Sequence, residues 1–131
     1  MNVKLTAVVI WTVVLASAAS ASGYRCVVND AVTADGGKIS RTELIKTFVG
    51  KEFIVDRGNG RMLGDVFSGQ GWEPKILDHG SRQQSFKAQY TAAPYVHVRL
   101  LTVQEFMPGN QKDFFMLDED NLISGKCASL N

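Results

Sequence analysis

The run Asp78-His79-Gly80-Ser81 brings a carboxylate, an imidazole and a hydroxyl together within four residues. These groups perform nucleophilic hydrolysis when the imidazole lies between the other two and contacts both of them. Neighbouring residues in an extended-to-turn stretch point apart, however, and Asp, Gly and Ser in this order are typical of turns held by side-chain hydrogen bonds. The run therefore predicts a turn, and we assign no catalytic residue to the chain.

The other histidine, His97, lies in a long β-prone run, where strand alternation puts it on one face with Tyr95 and Arg99. If the opposite, apolar face is the core, these three residues form an outward polar stripe. Such a stripe could bind a carboxylate or a protein partner, because arginine offers a planar fork and tyrosine a rigid contact. If the interior is instead the polar side, the same three residues line a small cavity.

Trp72 is the only tryptophan after residue 21, and it lies in a glycine-rich stretch just before Pro74. A tryptophan on a loop is a reasonable anchor for an interface, and it can equally fold over the end of a barrel as a plug. We therefore add Trp72 to Tyr95, His97 and Arg99 as predicted binding residues.

Metal and cofactor chemistry finds little support in the spacing of the remaining groups. His79, His97 and Glu105 are the obvious combination of ligands, but their spacing matches no helical or loop metal motif. The glycines around residues 58–60 and 69–71 lack the following helix and lysine of a phosphate-binding loop. The sequence predicts neither a metal site nor a cofactor.

The first 21 residues have the layout of a secretory signal. A short positive region ends at Lys4, an eleven-residue apolar run follows over residues 5–15, and Ala19-Ser20-Ala21 is the best cleavage site. The apolar run is shorter than the ~20 residues that span a bilayer. We predict a signal peptide over residues 1–21, a single β domain over residues 22–131, and a periplasmic or secreted location.

The charge balance of the predicted domain limits its partners. Cleavage after Ala21 leaves 13 basic and 13 acidic side chains, and the arginines are scattered among carboxylates. Nucleic acid and anionic membranes are bound by concentrated fields of Lys and Arg. We therefore expect no nucleic-acid partner, and no membrane span after signal cleavage.

Two cysteines lie near the two ends of the predicted domain. Cys26 and Cys127 are 101 residues apart, without the C-x-x-C spacing typical of redox or metal sites. In an exported protein the simplest interpretation is one disulfide. Such a bridge requires that the first and last elements lie side by side.

Short extended runs separated by turn residues dominate the rest of the chain. A helix is predicted after the capping pattern of Ser40 and Glu43, with Gly50 at its end, and Gly58-Asn59-Gly60 predicts a hairpin. Around that hairpin, Asp56/Arg57 and Arg61/Asp65 read as exposed cross-strand pairs. About eight short strands with one short helix favour a mostly β fold, a small antiparallel barrel or sandwich closed by the disulfide.

Several strings in this domain resemble a family of small exported bacterial proteins of unassigned function. They cover most of the domain and comprise residues 26–32, 53–57 with 60–62, 80–81 with 85–87, 105–106, and the closing Ser124-Gly125-Lys126-Cys127. The resemblance implies one exported domain and supplies no functional residues.

The sequence predicts an exported, non-catalytic binding domain of the cell envelope. Its partner would be another envelope protein, for which the chain serves as an accessory subunit or inhibitor, or a small ligand at a barrel mouth. Two alternatives stay open. The chain could be a small extracytoplasmic hydrolase or isomerase that uses His79 or His97, or a structural component of the envelope.

Overall fold

The computed structural model describes residues 23–67, 70–94 and 96–130. The predicted signal peptide and Tyr95 lie outside these described residues. Within them the chain forms nine strands and one short helix, in agreement with the mostly β prediction. The elements are β1 (Gly23–Asp35), β2 (Lys38–Ser40), α1 (Glu43–Lys46), β3 (Glu52–Asp56), β4 (Met62–Gly64), β5 (Trp72–His79), β6 (Phe86–Ala92), β7 (His97–Val103), β8 (Gln111–Asp118) and β9 (Asn121–Leu130).

All strands belong to one antiparallel sheet that curls into a half-barrel. The strand order is β4-β3-β1-β9-β8-β7-β6-β5, and β2 pairs with the end of β1. The alternatives of barrel and sandwich are thus resolved in favour of a barrel-like curl. A single curled sheet needs one apolar face along each strand, which suits the short alternating runs of this sequence.

The predicted disulfide is confirmed, and it lies in the middle of the sheet. Cys26 on β1 stands directly opposite Cys127 on β9, and their sulfurs are bonded. The first and last strands are therefore neighbours along ten register pairs as well as through the covalent bridge.

The concave side of the sheet holds an aromatic core. Phe53 meets both Phe67 and Phe114 edge to face, with ring centroids 5.1 Å and 5.2 Å apart. Gly125 makes this packing possible, because a Cβ there would lie 1.9 Å from the Val27 carbonyl oxygen and 2.7 Å from Phe114. Edge-to-face pairs of this kind add stability beyond the area that they bury.

The helix is shorter than predicted, and its start differs. Ser40 is the last residue of β2, where it pairs with β1, so it is not available as a cap. Thr42 takes that role and accepts a hydrogen bond from the Ile45 amide at 3.2 Å. Of the two apolar residues of the helix, Ile45 is buried but Leu44 is exposed. One turn of helix therefore attaches to the sheet through a single side chain.

The two end strands of the sheet, β4 and β5, are not joined by a main-chain ladder in the described part of the chain. We call the gap between them the seam. The turn that links β3 to β4 packs against β5 there, since a Cβ on Gly60 would lie 3.2 Å from Pro74 and 3.4 Å from Ile76. Gly60 also has a φ of +78°, which favours glycine. The half-barrel thus approaches closure by side-chain and turn contacts.

Candidate functional site

One end of β5 is held by Arg57, which lies in the β3–β4 turn. Its guanidinium donates to the carbonyl oxygens of His79 at 2.6 Å and Gly80 at 2.8 Å, just where β5 ends. It also forms an ion pair with Glu105 at 3.3 Å. The predicted cross-strand pair of Asp56 with Arg57 is therefore wrong. The Asp56 carboxylate instead accepts hydrogen bonds from turn amides.

Tyr24 completes this group, which we call the Arg57 cluster (Arg57, Glu105 and Tyr24). The buried phenol donates to a Glu105 oxygen at 2.6 Å, and Arg57 lies 5.9 Å from the ring centroid. Burial raises the pKa of the Tyr24 hydroxyl well above its usual value, and the hydrogen bond to Glu105 raises it further. The tyrosine is therefore a neutral donor that holds Glu105 in place.

The other end of β5 is held by Arg99 on β7. The Arg99 guanidinium lies 4.0 Å from the ring centroid of Trp72 and 4.9 Å from that of Phe67, so it lies over both aromatic rings. Its Nε donates to Asp118 at 3.2 Å. We call these four residues the Arg99 cluster. Phe67 lies in the connection from β4 to β5, and Trp72 is the first residue of β5. Through these two rings Arg99 contacts both the connection and the start of β5.

The position of Arg99 decides between the two faces predicted for β7. Arg99 is only 5 % exposed, on the same inward face as Leu101 and Val103, whereas Val96 and Leu100 are exposed. The outward stripe expected from an apolar core face is therefore wrong for Arg99. The physical reason is that the two rings and Asp118 compensate the buried cation, so an arginine occupies a core position.

Of the other predicted binding residues, the fold brings Trp72 against Arg99 but engages His97 elsewhere. His97 is half-exposed at the start of β7, where its Nδ1 lies 3.0 Å from a Glu119 oxygen. The same Glu119 oxygen accepts a hydrogen bond from the Val98 amide at 2.8 Å. Trp72, predicted in a loop, is the first residue of β5, and its ring packs inward against the core as the plug interpretation implies.

The turn predicted at Asp78-His79-Gly80-Ser81 is confirmed. The Asp78 carboxylate accepts the Gly80 amide at 2.8 Å, and the Ser81 hydroxyl accepts the amides of Gln83 and Gln84. Acid and hydroxyl are thus both engaged in holding the turn. In the described ranges, no three His, Cys, Asp or Glu side chains converge on a point where a metal ion could bind.

A cavity of about 330 Å³ opens at the seam, and we call it the seam pocket. The aromatic side chains that line it are held in place by contacts outside the cavity. Trp72 rests on Arg99, while the buried Tyr90 hydroxyl donates to the Gly60 carbonyl oxygen at 2.5 Å. The lining residues are Asn59, Arg61, Met62, Trp72, Pro74 and Tyr90.

Arg61 is the cation of the seam pocket, and the structure leaves it unpaired. In the residues that the structure describes, no carboxylate lies within ion-pair distance of its guanidinium, so the predicted pair with Asp65 does not form. Sequence reasoning missed Arg61, Tyr90 and Arg57 as site residues. Their partners come from other strands, and no local spacing marks them.

No helix of the described residues is both long and apolar enough to cross a membrane. No protein-family model matches the chain, and neither a curated protein nor a solved structure shows significant similarity to it.

Proposed function

We propose that this protein is a non-catalytic binding domain that takes a small, flat, anionic ligand in the seam pocket. The observation that carries the proposal is a cavity with fixed aromatic side chains and an arginine that has no ion pair among the described residues. Small-ligand sites are typically cavities of ~300 to 1,000 Å³, mostly apolar, with a few well-placed polar groups. The seam pocket lies within that range and has that composition.

The lining residues suggest the chemistry of the ligand. Trp72 and Pro74 offer flat apolar surface, on which a planar ring can stack. Arg61 offers a planar fork that suits a carboxylate, and no neighbouring carboxylate competes for it among the described residues. A planar aromatic carboxylate satisfies both parts of the pocket.

Trp72 provides the readout for this proposal. Titration of the purified protein with naphthoate should change the Trp72 fluorescence to saturation, and a Trp72→Phe variant should abolish the change because Trp72 is the only tryptophan after residue 21. Arg61→Gln should weaken binding about tenfold, the value of a charge-assisted hydrogen bond. Arg82→Gln is the matched control, since it removes the same charge from an exposed turn. Equal loss in both variants would contradict the proposal.

A second candidate function rests on the convex face of the sheet. Val32, Leu122, Leu117 and Leu100 stand in one cross-strand row over β1, β9, β8 and β7. The three leucines are each more than a third exposed. Phe115, on β8 two residues before Leu117, is exposed as well and enlarges the apolar surface. Continuous exposed apolar patches are uncommon on monomeric proteins and often mark protein-binding surfaces.

This convex row favours a role as an accessory subunit or inhibitor for a protein with an apolar surface. Leu117→Lys should abolish co-migration with a partner from the host envelope and leave the seam titration unchanged. Retained co-migration would remove this candidate.

The enzyme and structural alternatives make different predictions. A hydrolase or isomerase that uses His79 or His97 should lose turnover in the corresponding His→Ala variant without a change in its melting transition. A structural component should show stoichiometric association with envelope material. The disulfide is compatible with an oxidising compartment, and a periplasmic or secreted location after signal cleavage remains part of the proposal, as does the resemblance to small exported proteins.

A further inference from the structure

A second, larger cavity lies on the convex face, on the other side of the β3–β4 turn from the seam pocket. Its volume is about 460 Å³, and we call it the outer groove. Its apolar walls are Ile54, Leu63 and Leu130, which are 42 %, 64 % and 37 % exposed. Arg61 stands at its rim, as it does at the rim of the seam pocket.

The register of the strands makes this cavity a lane across the sheet. Leu63 on β4 pairs with Ile54 on β3, and Leu130 on β9 pairs with Gly23 on β1. Gly23 pairs with Asp56 on β3, two residues along from Ile54, so the lane runs diagonally from Ile54 to Leu130 and stays open because Gly23 has no side chain. From β4 to β9 the lane crosses three strand spacings, or about 14 Å. That length suits a single extended alkyl chain.

The charges around the outer groove are of two kinds, engaged and free. Arg25 on β1, which pairs in register with Ile54 beside the groove, forms an ion pair with Glu52 at 3.2 Å. Asp56, which also borders the groove, accepts the amides of Gly58 at 2.7 Å and Asn59 at 3.1 Å through one carboxylate oxygen. Arg61 has no ion pair in the described ranges and is the one cation among the residues that line the groove, so it is the group available to an anionic head group.

We propose that the outer groove binds a medium-chain carboxylate, with its head group on Arg61 and its alkyl chain along Leu63, Ile54 and Leu130. A carboxylate matches the guanidinium fork, and an alkyl chain covers leucine and isoleucine side chains that otherwise face water. This site is distinct from the seam pocket and goes beyond the proposed function, although the two share Arg61.

Three probes of similar chain length separate the contributions of charge and apolar surface: decanoate, decanol and decyltrimethylammonium, each below its micelle concentration. Calorimetry should show that decanoate binds about tenfold more tightly than decanol, since the difference is one charge-assisted contact. Decyltrimethylammonium should bind more weakly than decanol. On titration, the methyl resonances of Leu63 and Leu130 should shift, while Trp72 fluorescence stays constant.

Two variants test the residues themselves. Arg61→Gln should lower the affinity for decanoate to that for decanol and leave decanol binding unchanged, whereas Arg82→Gln should change neither. Leu63→Gln should weaken both decanoate and decanol binding. Leu63 lies on an exposed face of an end strand, so its replacement should preserve the fold, and thermal unfolding of each variant verifies this.

Several results would overturn the proposal. Equal affinity for decanoate and decanol would show that Arg61 has no role, and tighter binding of the ammonium would assign the head group to Asp56. A change in Trp72 fluorescence with no shift of the Leu63 methyl resonances would place the ligand in the seam pocket. That result would refute this inference and support the proposed function. No binding of any probe would refute the inference while the naphthoate titration still decides the seam pocket.

Discussion

The Arg57 cluster and the Arg99 cluster hold opposite ends of the same end strand, and they do so with different chemistry. Arg57 reaches the end of β5 and donates to two main-chain carbonyls and one carboxylate. Arg99 contacts the beginning of β5. Its guanidinium lies over two aromatic rings and has one carboxylate, that of Asp118, as its counter-charge. The first contact recognises the backbone, and the second recognises particular side chains.

This difference follows from how far each site is from water. The Arg57 side chain is 24 % exposed and that of Arg99 is 6 % exposed. A guanidinium near the surface can rely on hydrogen bonds to carbonyls that water also reaches. A buried one needs neighbours that replace its hydration over both faces, which aromatic rings do. In the described residues the sheet thus has no β4–β5 ladder, but an arginine holds each end of β5.

The largest effect should come from the buried cluster. Arg99→Gln leaves Asp118 without its cation and leaves Trp72 and Phe67 without the guanidinium over them, so we expect the free energy of unfolding to fall by about 3 kcal/mol. Urea denaturation measures this. Arg99→Lys is the matched control, because it keeps the charge but not the flat faces. Full recovery in the lysine variant would show that stacking contributes little.

Arg57→Gln should have a smaller effect of about 1 to 2 kcal/mol, because the carbonyls of His79 and Gly80 become accessible to water when the guanidinium is removed. The same denaturation experiment applies, and hydrogen exchange should show faster opening of the end of β5 than of its beginning. In Arg99→Gln the order should reverse. Identical exchange patterns in both variants would contradict the assignment of one arginine to each end.

Two buried tyrosines, Tyr24 of the Arg57 cluster and Tyr90 of the seam pocket, make the stability depend on pH. The pKa of Tyr24 and that of Tyr90 are both raised by burial, so the folded state keeps each phenol neutral where the unfolded state ionises. This stabilisation is present below pH ~10 and is lost as pH rises above it, by at most about 1.4 kcal/mol per pH unit for each tyrosine. Tyr24→Phe and Tyr90→Phe should each make stability less dependent on pH above ~10. An unchanged slope in either variant would show that its tyrosine does not contribute.

The smallest effect should come from an arginine on the convex face. Arg25 pairs with Glu52, and both side chains are at least half exposed. Arg25→Gln should change the free energy of unfolding by less than about 1 kcal/mol, the range of surface pairs. A loss as large as that of Arg57→Gln would mean that exposure does not determine the value of these arginines.

The sequence predicts the frame of this molecule better than its site. The glycines of the turn after β3 carry a local signal and the two cysteines a chemically unique one, and both predictions are confirmed. The face of β7 was ambiguous, because both alternating sets, Val98/Leu100 and Leu101/Val103, are apolar. Only the rings of Phe67 and Trp72, which belong to other elements, show why Arg99 lies inside.

The site itself depends on contacts between residues far apart in the chain. Arg57 finds Glu105 48 residues away, and Tyr24 finds the same carboxylate 81 residues away. No spacing rule covers such distances, since they result from how the sheet curls. Gly60 is the one residue of this region that the sequence marks as unusual. Its small size lets the β3–β4 turn approach β5 and the Tyr90 hydroxyl.

The disulfide has a mechanical consequence. Cys26 lies at the fourth residue of β1 and Cys127 at the seventh of β9, so a tensile load applied outside these two positions passes through the sulfur–sulfur bond. The strands between them carry almost none of it. Under tension the few outermost residues of β1 and β9 separate, and these include Gly23 and Leu130 of the outer groove. The interior, with Arg57, Arg99 and the seam pocket, stays unloaded until the bond is reduced.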